Sequence, residues 1–173
     1  MSKLPEDLAW SAESAELLSQ TDKTSCKAVV TTLLKAAEVK ATKAVCMTAM
    51  LELATWATEN KAVWVESYLV TLFPAMMALV ADKDRKVQIE AEKAGAAMMK
   101  GLNPLAVDGM MPLLFKQFEE HRWQTKLGAV KMFAELAASS TKAISTDLPT
   151  VVTKLMEVSQ DPKPAIKEEA VKL

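Results

Sequence analysis

The sequence predicts an all-helical solenoid of stacked helix pairs, and three observations carry that expectation. The chain of 173 residues holds 27 Ala and 11 Met against only 4 Gly. Ala and Met favour helix, and so little Gly leaves few tight hairpins. Half of the residues are hydrophobic and a quarter charged, the balance of a packed chain rather than a disordered one. Three segments also share one layout: an apolar helix carrying a proline, a short charged turn, and a second helix.

The first of these segments reads Leu72-Phe73-Pro74, a turn Asp82-Lys83-Asp84-Arg85-Lys86, then a helix from Val87 to Leu102. The second reads Met110-Met111-Pro112, a turn from Glu119 to Trp123, then Thr125 to Ala137. The third reads Asp147-Leu148-Pro149, a turn from Gln160 to Pro164, then Ile166 to Leu173. The prolines are 38 and 37 residues apart, and two helices per period near 40 is the signature of HEAT-type repeats. Each proline is expected where the first helix starts or bends, because it lacks the N–H that the preceding turn would need. Small residues on the second helices (Ala91, Ala94, Gly128, Ala129, Ala170) should let neighbours approach closely.

Upstream the pattern is looser. Val29 to Ala37 and Thr42 to Ala57 read as a further pair around Lys40 to Lys43, with Met47, Met50, Leu51 and Ala54 at helical spacing. Leu4 to Ser19 reads as an amphipathic helix with Pro5 in its first turn, linked onward by Thr21 to Ser25. The expectation is therefore one HEAT-repeat domain over 1–173 with about four helix pairs, degenerate over 1–62 and clear over 63–173. With a last helix of only about two turns, it reads as a fragment of a longer chain.

Composition also excludes function classes. Lys plus Arg (21) and Asp plus Glu (22) nearly cancel, which argues against a uniformly basic binder but not against a local basic edge. Two isolated Cys and no signal-peptide pattern point to a reducing, cytoplasmic setting. The longest uncharged stretch, Ser67 to Ala81, is too short to span a bilayer and contains Pro74, so no membrane partner is expected. The single His121 and unpaired Cys26 and Cys46 offer no metal cluster. No glycine lies in a phosphate-cradling frame, so no catalytic residue, cofactor, metal or small-molecule substrate is expected.

What remains to explain is binding. Each turn within a helix pair carries positive charge: Lys40 and Lys43, then Lys83, Arg85 and Lys86, then Arg122 and Lys126, then Lys163 and Lys167. Stacking should bring these turns to one edge, suited to phosphate, although Asp82, Asp84, Glu119, Glu120 and Asp161 share them. The candidate contact set is Lys83, Arg85, Lys86, Arg122, Trp123 and Lys126, with Trp123 either stacking on a base or packing across its turn. The Met-rich stretches read as adaptable core.

From about Val63 onward the residues resemble a known family. Val65-Glu66-Ser67-Tyr68-Leu69-Val70 before Pro74, Asp82-Lys83-Asp84, Asn103-Pro104-Leu105-Ala106 before Met111-Pro112-Leu113-Leu114, and Trp123-Gln124 together resemble the N-terminal HEAT domain of translation elongation factor three. Arg122-Trp123-Gln124-Thr125-Lys126 is also similar to a turn in the large ribosome-bound activator of the starvation-responsive initiation-factor kinase. The resemblance implies a non-catalytic, monomeric ribosome-docking module, with rRNA and ribosomal proteins as partners and ATPase cassettes elsewhere in a longer factor. The alternative is a HEAT or TOG-type interaction scaffold such as a tubulin-binding array.

Overall fold

The computed structural model describes residues 23–100 and 102–173, and the helix expected over Leu4 to Ser19 lies outside them. Helix α1 (Lys23–Glu38) turns Cys26, Val30, Leu33 and Ala37 inward, a stripe at helical spacing. It begins earlier than expected, so Lys23 to Ser25 open the helix instead of linking to it. Helix α2 (Lys43–Glu59) buries Cys46, Met47, Met50, Leu53 and Ala54 against it.

Helix α3 (Val63–Val80) is the centre of the molecule, in contact with α1, α2 and three helices that follow. It buries Val65, Leu69, Leu72, Phe73, Met76, Met77, Leu79 and Val80. Each such side chain contributes roughly 1.5–3 kcal/mol of apolar burial. Its 18 residues, mean hydropathy 1.6, are long and apolar enough to cross a membrane, more than the sequence reading allowed; half of that window is buried inside the fold. Helix α4 (Arg85–Met99) follows, capped by Asp84, whose carboxylate accepts the Lys86 N–H at 2.9 Å.

In α5 (Pro104–Phe118) the Asn103-Pro104 pair explains the start: the Asn103 side chain accepts the Ala106 N–H at 3.0 Å, and Pro104 occupies a position that needs no donor. Helix α6 (Trp123–Ser139) completes that pair. A short α7 (Thr141–Ile144) and a 3-10 turn (Ser145–Asp147) then lead to α8 (Leu148–Ser159) and α9 (Pro164–Val171). No strand occurs among the described residues.

Contacts run α1–α3–α5–α8 in one layer and α2–α4–α6–α9 in the other, each pair stacked on the next. This is the expected all-α solenoid with four described helix pairs. Hydrogen bonds cross between repeats at 37 to 42 residues: Glu66 Oε2 accepts the Asn103 N–H (2.9 Å), the Thr58 hydroxyl donates to the Lys100 carbonyl (3.2 Å), and the Ser139 hydroxyl to that of Met99 (2.9 Å). Gly128 lets α6 lie on α3, since a Cβ there would stand 2.6 Å from Val80 Cγ1. Gly95 plays the same part against Met132, a contact the list of small residues missed.

The prolines divide between the two places expected of them. Pro74 and Pro112 lie inside α3 and α5, exposed on the outer side, while Pro149 opens α8. Counted back from the buried positions Val87, Thr125 and Ile166, the place held by Pro74 and Pro112 belongs in the last repeat to Thr153. The near-equal proline spacing therefore mixed two roles, and the buried positions themselves recur at 38 and 41 residues.

Candidate nucleic-acid interface at the inter-helix turns

The turn between α3 and α4 and the turn between α8 and α9 are built alike. Asp82 accepts the Asp84 N–H at 3.0 Å with one carboxylate oxygen and the Lys43 ammonium at 2.7 Å with the other. Asp161 accepts the Lys163 N–H and the Lys126 ammonium, both at 2.9 Å. In each case the lysine comes from the second helix of the preceding repeat, so the pair is a rung tying one repeat to the next.

Both carboxyls are held below the ordinary aspartate value. For Asp82 the Asp84 N–H is the main cause and Lys43 the second. For Asp161 burial pushes the other way, and the hydrogen bonds from Lys126 and Lys163 overcome it. The Asp161 side chain is only 7% exposed and Lys126 25%, which makes this a covered, charge-assisted pair and not a solvated one.

The middle turn departs from this plan. Glu120 stands three residues before α6, where Asp82 and Asp161 stand before α4 and α9. Among the described residues no ion pair joins the α3–α4 turn to the α5–α6 turn. Lys83, Lys86 and Arg122 are exposed and carry no salt bridge among the described residues, and Arg85 is exposed with its guanidinium donating to the Gln88 side chain at 3.0 Å. The six sequence candidates thus divide. Lys83, Arg85, Lys86 and Arg122 hold their charge free of acidic partners on neighbouring turns, whereas Lys126 is occupied by Asp161.

Trp123 is the first residue of α6. It is 42% exposed, with the Lys163 ammonium 6.0 Å from its ring centroid, a cation–π contact to the next repeat. His121 is an exposed turn residue. Sequence reasoning missed the Lys–Asp rungs, whose only signal was the recurrence of an Asp three residues before a second helix. The cysteines are buried and unpaired, with burial pushing the Cys46 thiol up to about 11 and Cys26 up as well, so neither is a reactive thiolate. No group of three or more His, Cys, Asp or Glu side chains is arranged to hold a metal among the described residues.

Stacked antiparallel helix pairs, short charged turns and small residues at the helix contacts define an α-solenoid of the HEAT class. The chain belongs to the EF3 N-terminal HEAT repeat family, whose model matches residues 9–173. It is 32% identical over 139 residues to elongation factor 3 of Candida glabrata, covering 80% of this chain and 13% of that protein. Elongation factor 3B of Saccharomyces cerevisiae is 30% identical over 61% of this chain and 10% of its own length. The stalled ribosome sensor GCN1 of Homo sapiens is 32% identical over 56% of this chain and 4% of its own length. The chain therefore spans a small part of each relative.

Proposed function

We propose that this chain is a non-catalytic ribosome-docking module of a cytoplasmic translation elongation factor, acting as a monomer, with the ATPase cassettes of the parent factor outside it. Family membership supports the translation-factor reading, and the relatives named as elongation factor 3 and as a stalled ribosome sensor support the ribosome as partner. One observation carries the choice of surface. The rung that neutralises the first and last turns is missing between the two middle turns, so positive charge collects at Lys83, Arg85, Lys86 and Arg122. Exposed cations on one edge suit rRNA phosphate, each neutralised phosphate releasing condensed counterions. Trp123 beside them offers a ring face to an unstacked base. In this reading Lys126 holds the stack together and does not contact RNA.

The test is ribosome co-sedimentation across a salt series. Reversing Lys83, Lys86 and Arg122 to Glu should weaken pelleting and flatten the salt slope by about three phosphate contacts, with helicity unchanged. Wild-type pelleting by that variant at every salt concentration would remove the turns from the interface. Binding of the same protein to purified tubulin in place of ribosomes would favour an interaction scaffold of the TOG type.

A further inference from the structure

The outer layer of the solenoid opens between the third and fourth repeats. Where α1, α3 and α5 lie side by side, α5 and α8 meet over a short stretch only, because α7 and the 3-10 turn stand between them. The opening is a groove of about 350 Å³. Met111, Phe115 and Ile144 form its apolar base, Pro112 one wall, and Asp108 and Asp147 its charged rim. Among the described residues no Lys or Arg lines it.

Neither of those two carboxylates takes part in a salt bridge among the described residues. Asp82, Glu92, Glu119 and Asp161 each take a lysine from another helix of the stack. Among the described residues Asp108 and Asp147 take none: Asp108 is exposed, and Asp147 accepts the Thr150 hydroxyl at 2.7 Å. Both helices beside the groove also leave aliphatic side chains uncovered, Leu105 of α5 at 81% exposure and Leu148 of α8 at 51%. An apolar floor between two unpaired carboxylates is complementary to a cation set beside an aliphatic group. At the small end of the range for ligand pockets, the volume admits two or three side chains and not the face of a helix.

We propose that this groove binds an extended segment of a partner protein in which an Arg or Lys is flanked by an aliphatic residue. The cation pairs with Asp108 and Asp147 through charge-assisted hydrogen bonds, and the aliphatic neighbour covers Met111, Phe115 and Ile144. The peptide lies along the opening between α5 and α8, on the outer layer. This assignment stands apart from the ribosomal reading, because it uses none of the basic turn residues.

Fluorescence anisotropy with three labelled decapeptides on a Gly-Ser background, titrated with the full 173-residue chain, tests it. A Leu-Arg-Leu core should bind saturably, and Leu-Glu-Leu and Ser-Arg-Ser cores at least tenfold more weakly. Combining Asp108→Asn with Asp147→Asn keeps side-chain shape and a good helix-capping group, and should weaken Leu-Arg-Leu at least tenfold with the circular dichroism spectrum unchanged. Reversal of Lys83, Lys86 and Arg122 should leave peptide binding as it was, which separates a failure here from a failure of ribosome docking. Absence of saturable binding, equal binding of the Glu core, or full binding by the double Asn variant would each overturn the proposal. Sedimentation velocity showing self-association that the double variant abolishes would overturn it too, by assigning the groove to a second copy.

Discussion

The junction between the second and third repeats and the junction between the third and fourth join the same kinds of helices to different effect. At the first, α4 ends at Met99 and α5 begins at Pro104 beside α3, the buried Glu66 carboxylate holds the Asn103 N–H, and Asn103 caps α5. At the second, residues 140–147 form an extra short helix and 3-10 turn, and Asp147 in the cap position of α8 makes no capping bond to the backbone. One junction is closed and doubly fixed; the other leaves a groove. The comparison teaches that linker length, more than the composition of the repeats, decides whether neighbouring helices seal or part.

The strongest way to break this contrast is in the core. Phe73 in α3 is fully buried, and Phe73→Ala should cost about 3–5 kcal/mol of unfolding free energy in urea titration. Val151 is the buried residue of α8 nearest the open junction, and Val151→Ala should cost only about 1–2 kcal/mol. Equal losses would mean that the two junctions are equally tight.

Next in size is the contact of α6 with α3. Gly128→Ala should cost about 1–3 kcal/mol by overpacking against the stiff Val80 side chain, read as a lower thermal midpoint. Gly95→Ala should cost less, because the flexible end of Met132 gives way.

Acid sharpens the comparison between rungs. Asp82 and Asp161 have folded values below the ordinary 3.8, so the stability they add is present above that value. It should be lost as pH falls from about 4 through the depressed folded values. Asp82→Asn and Asp161→Asn should each flatten that loss in a pH series of urea midpoints.

The smallest expected effect lies at the linkers. Asn103→Ala removes a cap that is made and should cost about 1 kcal/mol. Asp147→Ala removes one that is not, and should shift the midpoint by no more than about 0.5 kcal/mol.

Much of this architecture was legible because local chemistry carries it. The Asn103-Pro104 start, the Asp84 cap, and the apolar spacing of α1 and α2 are each written in adjacent residues. Pro149 misled because a proline inside a helix and one at its start look alike until the helix boundary is known. The length of α3 was hidden for a related reason: Glu66 interrupts its apolar run, and only the fold reveals that its charge is spent on the Asn103 N–H. The basic turns were visible, but the sorting of their cations was not. Whether Lys126 or Arg122 is free depends on an Asp 35 residues from Lys126, which no local pattern reports.

The methionines give the molecule a chemical clock. Met47, Met50, Met76, Met77, Met98, Met99, Met110, Met111 and Met132 are buried, while Met156 on α8 is 64% exposed. A peroxide encounters Met156 at once and reaches the others only when helices separate. Sulfoxide formation in the interior would put a polar, bulkier group into helix contacts shaped around a slender thioether. Oxidative damage would then accumulate at the rate of breathing between repeats, entering first where the stack opens most often.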